Sequence, residues 1–206
     1  MVKVKICGIT NLEDALAAVN SGCDALGFVF YKKSPRYISM AKAAKIIKSL
    51  PRGVIKVGVF SGSHEDTVKQ IARSCRLDML QFHGRESADF CSRFSRYKVI
   101  KAFRVKNKLS LSKILGYKVF AYLFDTYSSV SAGGTGKSFN WNLVRHIHGI
   151  KRPIFLSGGL TQRNVSSAIK LVHPDWVDAS SSVEASPGRK DPIRVKNFIK
   201  SAKFSI

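Results

Sequence analysis

The sequence predicts a closed (β/α)8 barrel of the α/β class, and three observations favour that fold. Short, mostly apolar runs alternate with helix-like segments, one βα unit following another roughly every 25 residues. Eight runs of each kind occur, which is the number that closes a barrel of parallel strands. A length of 206 residues suits one compact domain with a substantial core. We therefore expect a single barrel domain over residues 1–206.

The predicted elements follow one another in strict alternation. The strands cover Val2–Cys7, Ala25–Phe30, Val54–Phe60, Leu77–Phe82, Lys98–Phe103, Lys118–Phe124, Pro153–Leu156 and Trp176–Ala179. The helices cover Leu12–Asn20, Ala41–Leu50, Glu65–Cys75, Ser87–Phe94, Leu109–Leu115, Trp141–His148, Arg163–Val172 and Pro192–Ala202. The longest irregular stretch, Thr126–Asn140, follows strand six and contains the glycine-rich run Gly133–Gly136. It lies on the face where barrel active sites are built.

Residues that start helices support these boundaries. Thr10 or Asn11 is placed to cap the first helix, Ser39 the second and Ser63 the third, while Thr161 precedes the seventh. An open, doubly wound sheet would show the same alternation and would bind ligands where its strand order reverses. No GxGxxG motif follows the first strand, so the barrel is favoured.

The net charge of +22, from 35 Lys and Arg against 13 Asp and Glu, favours anionic partners. Residues 85–118 are especially basic. A nucleic-acid-binding barrel is therefore one hypothesis, and binding that survives about 0.2 M salt would support it. The sequence argues against it, because it has neither a run of five or six basic residues nor an RNA-binding aromatic motif. A charged surface that attracts an anionic metabolite is the favoured interpretation.

Several features predict a cytoplasmic protein. No apolar run approaches the roughly 20 residues of a membrane span, and a strand-like run begins at once, which leaves no room for a signal peptide. Four cysteines, at positions 7, 23, 75 and 91, show neither CxxC nor zinc-ligand spacing. We expect them to be free thiols.

Two clusters of small residues end the last two predicted strands. Ser157-Gly158-Gly159 follows strand seven, and Ser180-Ser181-Ser182 follows strand eight. Backbone amides in such turns at the carboxyl ends of barrel strands form a phosphate site. Ordinary tight turns would explain either cluster alone. The pair, one βα unit apart, predicts a phosphorylated small-molecule substrate.

Polar residues at other strand ends supply candidates for chemistry. Cys7 ends strand one, Arg36 follows strand two, His83 follows strand four, Arg104 strand five and Asp125 strand six. Cys7 and Asp125 would face each other across the barrel mouth and could divide acid and base roles. Taken singly, each has a plainer explanation, such as an inert core thiol or a loop cap.

An ordered set of motifs resembles the phosphoribosylanthranilate isomerases of tryptophan biosynthesis. The motifs recur from residue 5 to the final helix. They are Lys5-Ile6-Cys7-Gly8-Ile9-Thr10, Asp24-Ala25-Leu26-Gly27-Phe28-Val29-Phe30, Ser34-Pro35-Arg36-Tyr37, Val57-Gly58-Val59-Phe60, Gln81-Phe82-His83-Gly84, Gly133-Gly134-Thr135-Gly136, Ser157-Gly158-Gly159-Leu160 and Asp178-Ala179-Ser180-Ser181.

The resemblance implies a reaction and a set of roles. The family converts N-(5′-phosphoribosyl)anthranilate to the 1-deoxyribulose 5-phosphate by an Amadori rearrangement, with neither metal nor organic cofactor. By resemblance, Cys7 is the general base, Asp125 the general acid and Arg36 the ligand of the anthranilate carboxylate. The other substrate-binding residues that the match implies are His83, Gly158, Gly159, Asp178, Ser180 and Ser181. The partner is thus an anionic small molecule carrying phosphate and carboxylate, and a monomer or homodimer is expected.

Two residues refine this hypothesis. Lys5 lies two positions before Cys7, on the same face of the strand, and could favour the thiolate if that face is the barrel interior. Ser182 stands where the family usually has glycine, so it could crowd the phosphate turn or add a hydroxyl contact.

A rival within enzymes is the related isomerase of histidine biosynthesis. Members of that family have two aspartates in the site, one of them at the position of Cys7. The cysteine therefore argues against this alternative. That family also has a second phosphate-binding turn after strand three. Residues 60–63 of this chain resemble such a turn only weakly.

Overall fold

The predicted barrel is confirmed in a computed structural model that describes residues 1–105, 110–126, 141–145 and 150–204. Eight strands form a closed barrel in the order β1 to β8, and β1 pairs in parallel with both β2 and β8. The glycine-rich run Gly133–Gly136 and the end of the predicted sixth helix lie outside the described residues.

The observed elements keep the predicted order, with ends shifted by a few residues. The strands are β1 Lys3–Cys7, β2 Ala25–Val29, β3 Ile55–Phe60, β4 Met79–Phe82, β5 Lys98–Val105, β6 Ala121–Thr126, β7 Ile154–Leu156 and β8 Trp176–Ala179. The helices are α1 Leu12–Asn20, α2 Met40–Lys48, α3 Glu65–Ser74, α4 Ala88–Ser92, α5 Leu111–Leu115, α6 Asn142–Arg145, α7 Val165–Val172 and α8 Pro192–Lys203.

A hairpin that the sequence analysis did not predict follows β8. A 3-10 turn, Ser181–Val183, leads into the two short antiparallel strands β9, Glu184–Ser186, and β10, Arg189–Lys190. The hairpin lies before α8 at the carboxyl end of the barrel strands, beside the loops that follow β1 and β2.

Alternating strand residues divide the core into two layers. The larger layer lies between the strands and the helices and includes the fully buried Phe28, Phe60, Phe82 and Phe124. The smaller layer fills the barrel itself. Its buried members are Ala25, Val57, Met79, Ile100, Ala102, Ala121, Leu123, Phe155 and Trp176. The barrel is therefore a packed core with no pore, and any ligand must bind at its mouth.

The helix-start predictions are confirmed for two helices and wrong for one. Asn11 accepts a hydrogen bond from the Asp14 amide, and Ser39 accepts one from the Lys42 amide. Ser63 does not cap α3, because the helix begins one residue later and His64 occupies the N-cap without a side-chain hydrogen bond. Acidic residues in the first turn of α3 complement the helix dipole instead.

Three aspartates lie at the amino ends of the barrel strands. Asp24, Asp78 and Asp175 each directly precede an even-numbered strand, and each accepts a backbone N–H of a neighbouring odd-numbered strand at 2.8, 2.7 and 2.8 Å. The carboxylates thus satisfy donors at strand ends, which is a role in stability. Among the described residues, none of the helices combines the length and the hydrophobicity that a membrane span requires.

Candidate active site

One cleft at the carboxyl ends of the barrel strands contains every site residue that the sequence predicted. Its open space is about 830 Å³, part of it continuous with solvent. The predicted residues that line it are Cys7, Arg36, His83, Asp125, Gly158, Gly159, Asp178, Ser180 and Ser181. Arg104 and Ser182 also line the cleft. Residues from strands far apart in sequence therefore converge on one ligand-sized space.

A glycine makes room for the Cys7 thiol. Cys7 ends β1 opposite Gly27 of β2 and is 7% exposed. A Cβ on Gly27 would lie 2.6 Å from Cys7 Sγ, which is closer than real side chains approach. The sulfur can therefore occupy the barrel mouth only because residue 27 has no side chain.

A buried ion pair lies below the thiol. Lys5 Nζ donates to Asp178 Oδ1 at 2.9 Å, and both residues are buried inside the barrel. The charge of the ammonium group also acts on the Cys7 thiol. Burial raises the pKa of Asp178, although Lys5 opposes that shift. Lys5 thus lies on the face that its spacing from Cys7 predicted, and that face is the barrel interior.

The effect of Lys5 on the thiol is smaller than that of burial. Burial raises the pKa of Cys7 above its usual value, while the charges of Lys5 and, more weakly, Lys190 lower it and that of Asp178 raises it. Lys5 therefore favours the thiolate, as expected, but burial outweighs its effect. Lys5 limits the cost of deprotonation without removing it.

Alkylation of Cys7 tests this balance. Its rate of modification by iodoacetamide, followed by mass spectrometry, should rise with pH about a midpoint above the ordinary thiol value of about 8.5. Lys5→Met should move the midpoint higher still, because the stabilising cation is lost. Burial raises the pKa of Cys23 to about 12, and its modification, as an internal control, should not respond to the substitution. An unchanged Cys7 midpoint in Lys5→Met would remove Lys5 from this account.

A hydrogen-bonded chain leads to Asp125. The Gln81 side-chain nitrogen lies 2.9 Å from His83 Nδ1, and His83 Nε2 lies 3.1 Å from Asp125 Oδ2. Because the amide donates to Nδ1, the ring proton is on Nε2 and points to the carboxylate. Gln81 Oε1 is buried without a hydrogen-bond partner among the described residues.

The two small-residue turns have backbone shaped for close approach. Gly158 and Gly159 have φ of +85° and +65°, conformations that favour glycine. Asn164 holds the first turn by donating to Gly159 O at 2.9 Å. Ser180 Oγ donates to Cys7 O at 3.1 Å, which ties the second turn to β1. Ser182 lies in the 3-10 turn and has no positive φ, so its side chain adds no left-handed strain.

Arg36 makes contacts that the sequence did not predict. Its Nε and Nη2 donate to the two carboxylate oxygens of Glu184 at 2.8 and 2.7 Å. Lys190 Nζ donates to the same carboxylate at 2.8 Å. The sequence contains one signal for this arrangement. The chain has 13 Asp and Glu against 35 Lys and Arg, so a buried acid is expected to pair with more than one cation. Among the described residues, no group of three or more potential ligands could hold a metal ion.

Comparison with known proteins agrees with this geometry. The model of the N-(5′-phosphoribosyl)anthranilate isomerase family matches residues 4–201. The N-(5′-phosphoribosyl)anthranilate isomerase of Geotalea uraniireducens is 55% identical over 205 residues, which are 98% of this chain and 99% of that protein.

Solved structures of such isomerases share the fold. The crystal structure of phosphoribosyl anthranilate isomerase from Thermotoga maritima has a TM-score of 0.93 and 47% identity, covering 98% of this chain and 99% of that one. Another, at 46% identity and a TM-score of 0.89 with the same coverage, is a complex with reduced 1-(o-carboxyphenylamino)-1-deoxyribulose 5-phosphate. The identification from motifs is confirmed: the chain is an isomerase and belongs to the N-(5′-phosphoribosyl)anthranilate isomerase family.

Proposed function

We propose that the cleft converts N-(5′-phosphoribosyl)anthranilate to 1-(2-carboxyphenylamino)-1-deoxyribulose 5-phosphate by acid–base chemistry, as a step of tryptophan biosynthesis. The observation that carries the proposal is the meeting of Cys7, Asp125, Arg36 and the two small-residue turns in one cleft. The family to which the chain belongs supports the same reaction.

The turns at Gly158-Gly159 and Ser180-Ser181 hold the substrate phosphate. Positive φ at the two glycines turns the backbone sharply and leaves no side chain between its amides and a ligand. Arg36, which follows β2, binds the ring carboxylate, since a guanidinium matches two carboxylate oxygens. The sugar then lies between the two anchors, over the mouth of the barrel. This placement brings it to the thiol and the carboxyl group.

Asp125 opens the sugar ring. Its carboxyl proton goes to the ring oxygen as the bond between that oxygen and C1′ breaks, and the anthranilate nitrogen forms a double bond to C1′. His83 Nε2 donates to Asp125 Oδ2 and so fixes the carboxyl group in the cleft. Asp125 is therefore the catalytic acid, and His83 orients it while lining the space that the substrate fills.

Cys7 completes the rearrangement. Its thiolate removes the proton from C2′, and the electron pair shifts toward the nitrogen to give an enolamine. Protonation of C1′, with loss of the proton on the C2′ hydroxyl, then gives the ketose. The ammonium group of Lys5 stabilises the thiolate by its charge. Asp178 holds Lys5 in place and faces the cleft beside the substrate hydroxyls.

The loss of anthranilate-type fluorescence from freshly made N-(5′-phosphoribosyl)anthranilate tests the proposal. Purified protein should accelerate the loss in proportion to its concentration. The same purification from host cells that carry the empty expression vector reports any contaminating host isomerase. Equal rates for the two preparations, or a rate no higher than that of buffer, would contradict the proposed activity.

We also propose a cytoplasmic location. All four cysteines are free, and Cys7, Cys75 and Cys91 are buried. Free thiols are typical of reducing compartments.

A further inference from the structure

Glu184 is a buried acid shared by two cations of the cleft. Its carboxylate accepts two hydrogen bonds from Arg36 and one from Lys190, whose side chain is fully buried. Burial alone would raise the pKa of Glu184, but the hydrogen bonds and charges of Arg36 and Lys190 lower it below its usual value. The group is therefore ionised at neutral pH and pairs with both cations.

The hairpin that carries Glu184 is held in place from several sides. The backbone N–H of Lys190 donates to Asp14 Oδ2 at 2.7 Å, which explains why an acid on α1 is buried. Arg194 donates to the backbone carbonyl of Glu184 at 2.6 Å. At the hairpin tip, a Cβ on Gly188 would lie 3.0 Å from Pro35 O, so the tip packs directly against the loop that carries Arg36. These contacts hold the Glu184 carboxylate in one position.

The pairing leaves one edge of the guanidinium for a ligand. Glu184 occupies the side formed by Nε and Nη2. The end-on edge, formed by Nη1 and Nη2, has Nη1 without a hydrogen-bond partner among the described residues. Such an edge fits two oxygens of a second planar carboxylate. Arg36, Lys190 and Glu184 together carry a net charge of +1, which one substrate carboxylate would neutralise.

We propose that Glu184 is a positioning residue that determines specificity, by fixing Arg36 so that its end-on edge selects a substrate carboxylate. This inference rests on the proposed function. Lys190 extends the same device, because its ammonium group also donates to Ser180 O at 3.1 Å in the second phosphate turn. Lys190 thereby links the buried acid to the second phosphate turn.

Calorimetric titration with two product analogues tests the proposal. One is reduced 1-(o-carboxyphenylamino)-1-deoxyribulose 5-phosphate, and the other is its anilino counterpart without the ring carboxylate. The unsubstituted protein should prefer the carboxylated analogue by about tenfold or more, as expected for a bidentate charged pair. Glu184→Gln should reduce that preference to roughly threefold or less, while affinity for the anilino analogue stays within about twofold.

Glu13→Gln is the matched control. Glu13 is an exposed acid that lies 3.5 Å from Arg189 of the same hairpin, so the substitution removes the same charge outside the cleft. It should keep the full preference for the carboxylated analogue. If Glu184→Gln does not fold, as judged by circular dichroism, Glu184→Asp keeps the charge that Lys190 requires but shortens the side chain, and should show the same loss of preference.

The outcomes separate this inference from the proposed function. Equal weakening of both analogues would assign Glu184 a merely structural role and overturn the inference, as would an undiminished preference in the variant. An unsubstituted protein that bound both analogues equally would also overturn it, since Arg36 would then not recognise the carboxylate. Binding of neither analogue by the unsubstituted protein would instead contradict the proposed function.

Discussion

Removing either proton-transfer group, by Cys7→Ala or Asp125→Asn, should lower kcat by about 10²- to 10⁴-fold with little change in KM. Both substitutions leave the phosphate and carboxylate anchors in place, so substrate binding should persist while one proton transfer is lost. Steady-state fluorescence assays with saturating substrate measure the effect. Near-full turnover by Cys7→Ala would show that another group is the base.

A control variant and the pH dependence of the rate test the role of Cys7 further. Cys91→Ala removes a buried thiol on α4, outside the cleft, and should leave kcat unchanged. Because burial raises the pKa of Cys7, the active thiolate becomes more abundant as pH rises. The unsubstituted enzyme should therefore show a rate that increases with pH on the alkaline side of neutrality. Cys7→Ala should lack this increase, since no thiolate is formed.

The barrel and the location of its cleft could be predicted from sequence because both depend on local signals. Each βα unit has its own apolar run and helix-like segment, and parallel strands in a barrel bring their carboxyl ends together. Polar residues at strand ends, such as Cys7, His83 and Asp125, were therefore expected to line one opening, and they do. Their chemical roles came from the resemblance of ordered motifs and not from the residue pattern.

The hairpin and its buried acid could not be predicted in that way. Strands of three and two residues have no periodicity that distinguishes them from a loop. The contact of Arg36 with Glu184 joins residues 148 positions apart, and nothing in either local sequence indicates the other. Lys5 shows a different limit. Strand alternation correctly placed it beside Cys7, but the net pKa shift depends on burial, which only the packed structure reveals.

Another buried ion pair, between Lys101 and Glu86, stabilises the loops that follow β3 and β4. Lys101 Nζ donates to Glu86 Oε2 at 2.8 Å, and both side chains are less than 5% exposed. The same carboxylate accepts the backbone N–H groups of Gly62 and Gly84, both at 2.9 Å. A Cβ on Gly84 would lie 2.6 Å from Glu86 Oε1, so the loop after β4 closes directly over the carboxylate. Glu86 thereby fixes the loops after β3 and β4, next to His83.

Glu86→Ala should destabilise the fold by about 3–5 kcal/mol, because it leaves the Lys101 charge buried and unpaired. Urea denaturation at neutral pH measures the loss. Burial alone would raise the pKa of Glu86, but Lys101 and the Gly62 amide lower it below its usual value. The carboxylate therefore stabilises the fold above its unfolded pKa of about 4.3, and the difference between the two proteins should shrink as pH falls below that value.

A double substitution identifies the source of the loss. In Glu86→Leu with Lys101→Met, no charge is left unpaired, and an apolar replacement of a buried pair is commonly neutral or stabilising. If the orphaned ammonium group causes the destabilisation, the double variant should be more stable than Glu86→Ala, although the amides of Gly62 and Gly84 lose their acceptor in both. A double variant as unstable as Glu86→Ala would instead show that the carboxylate acts mainly as the acceptor that shapes the two loops. Glu13→Ala, at an exposed acid, should change the free energy of unfolding by no more than the error of the measurement.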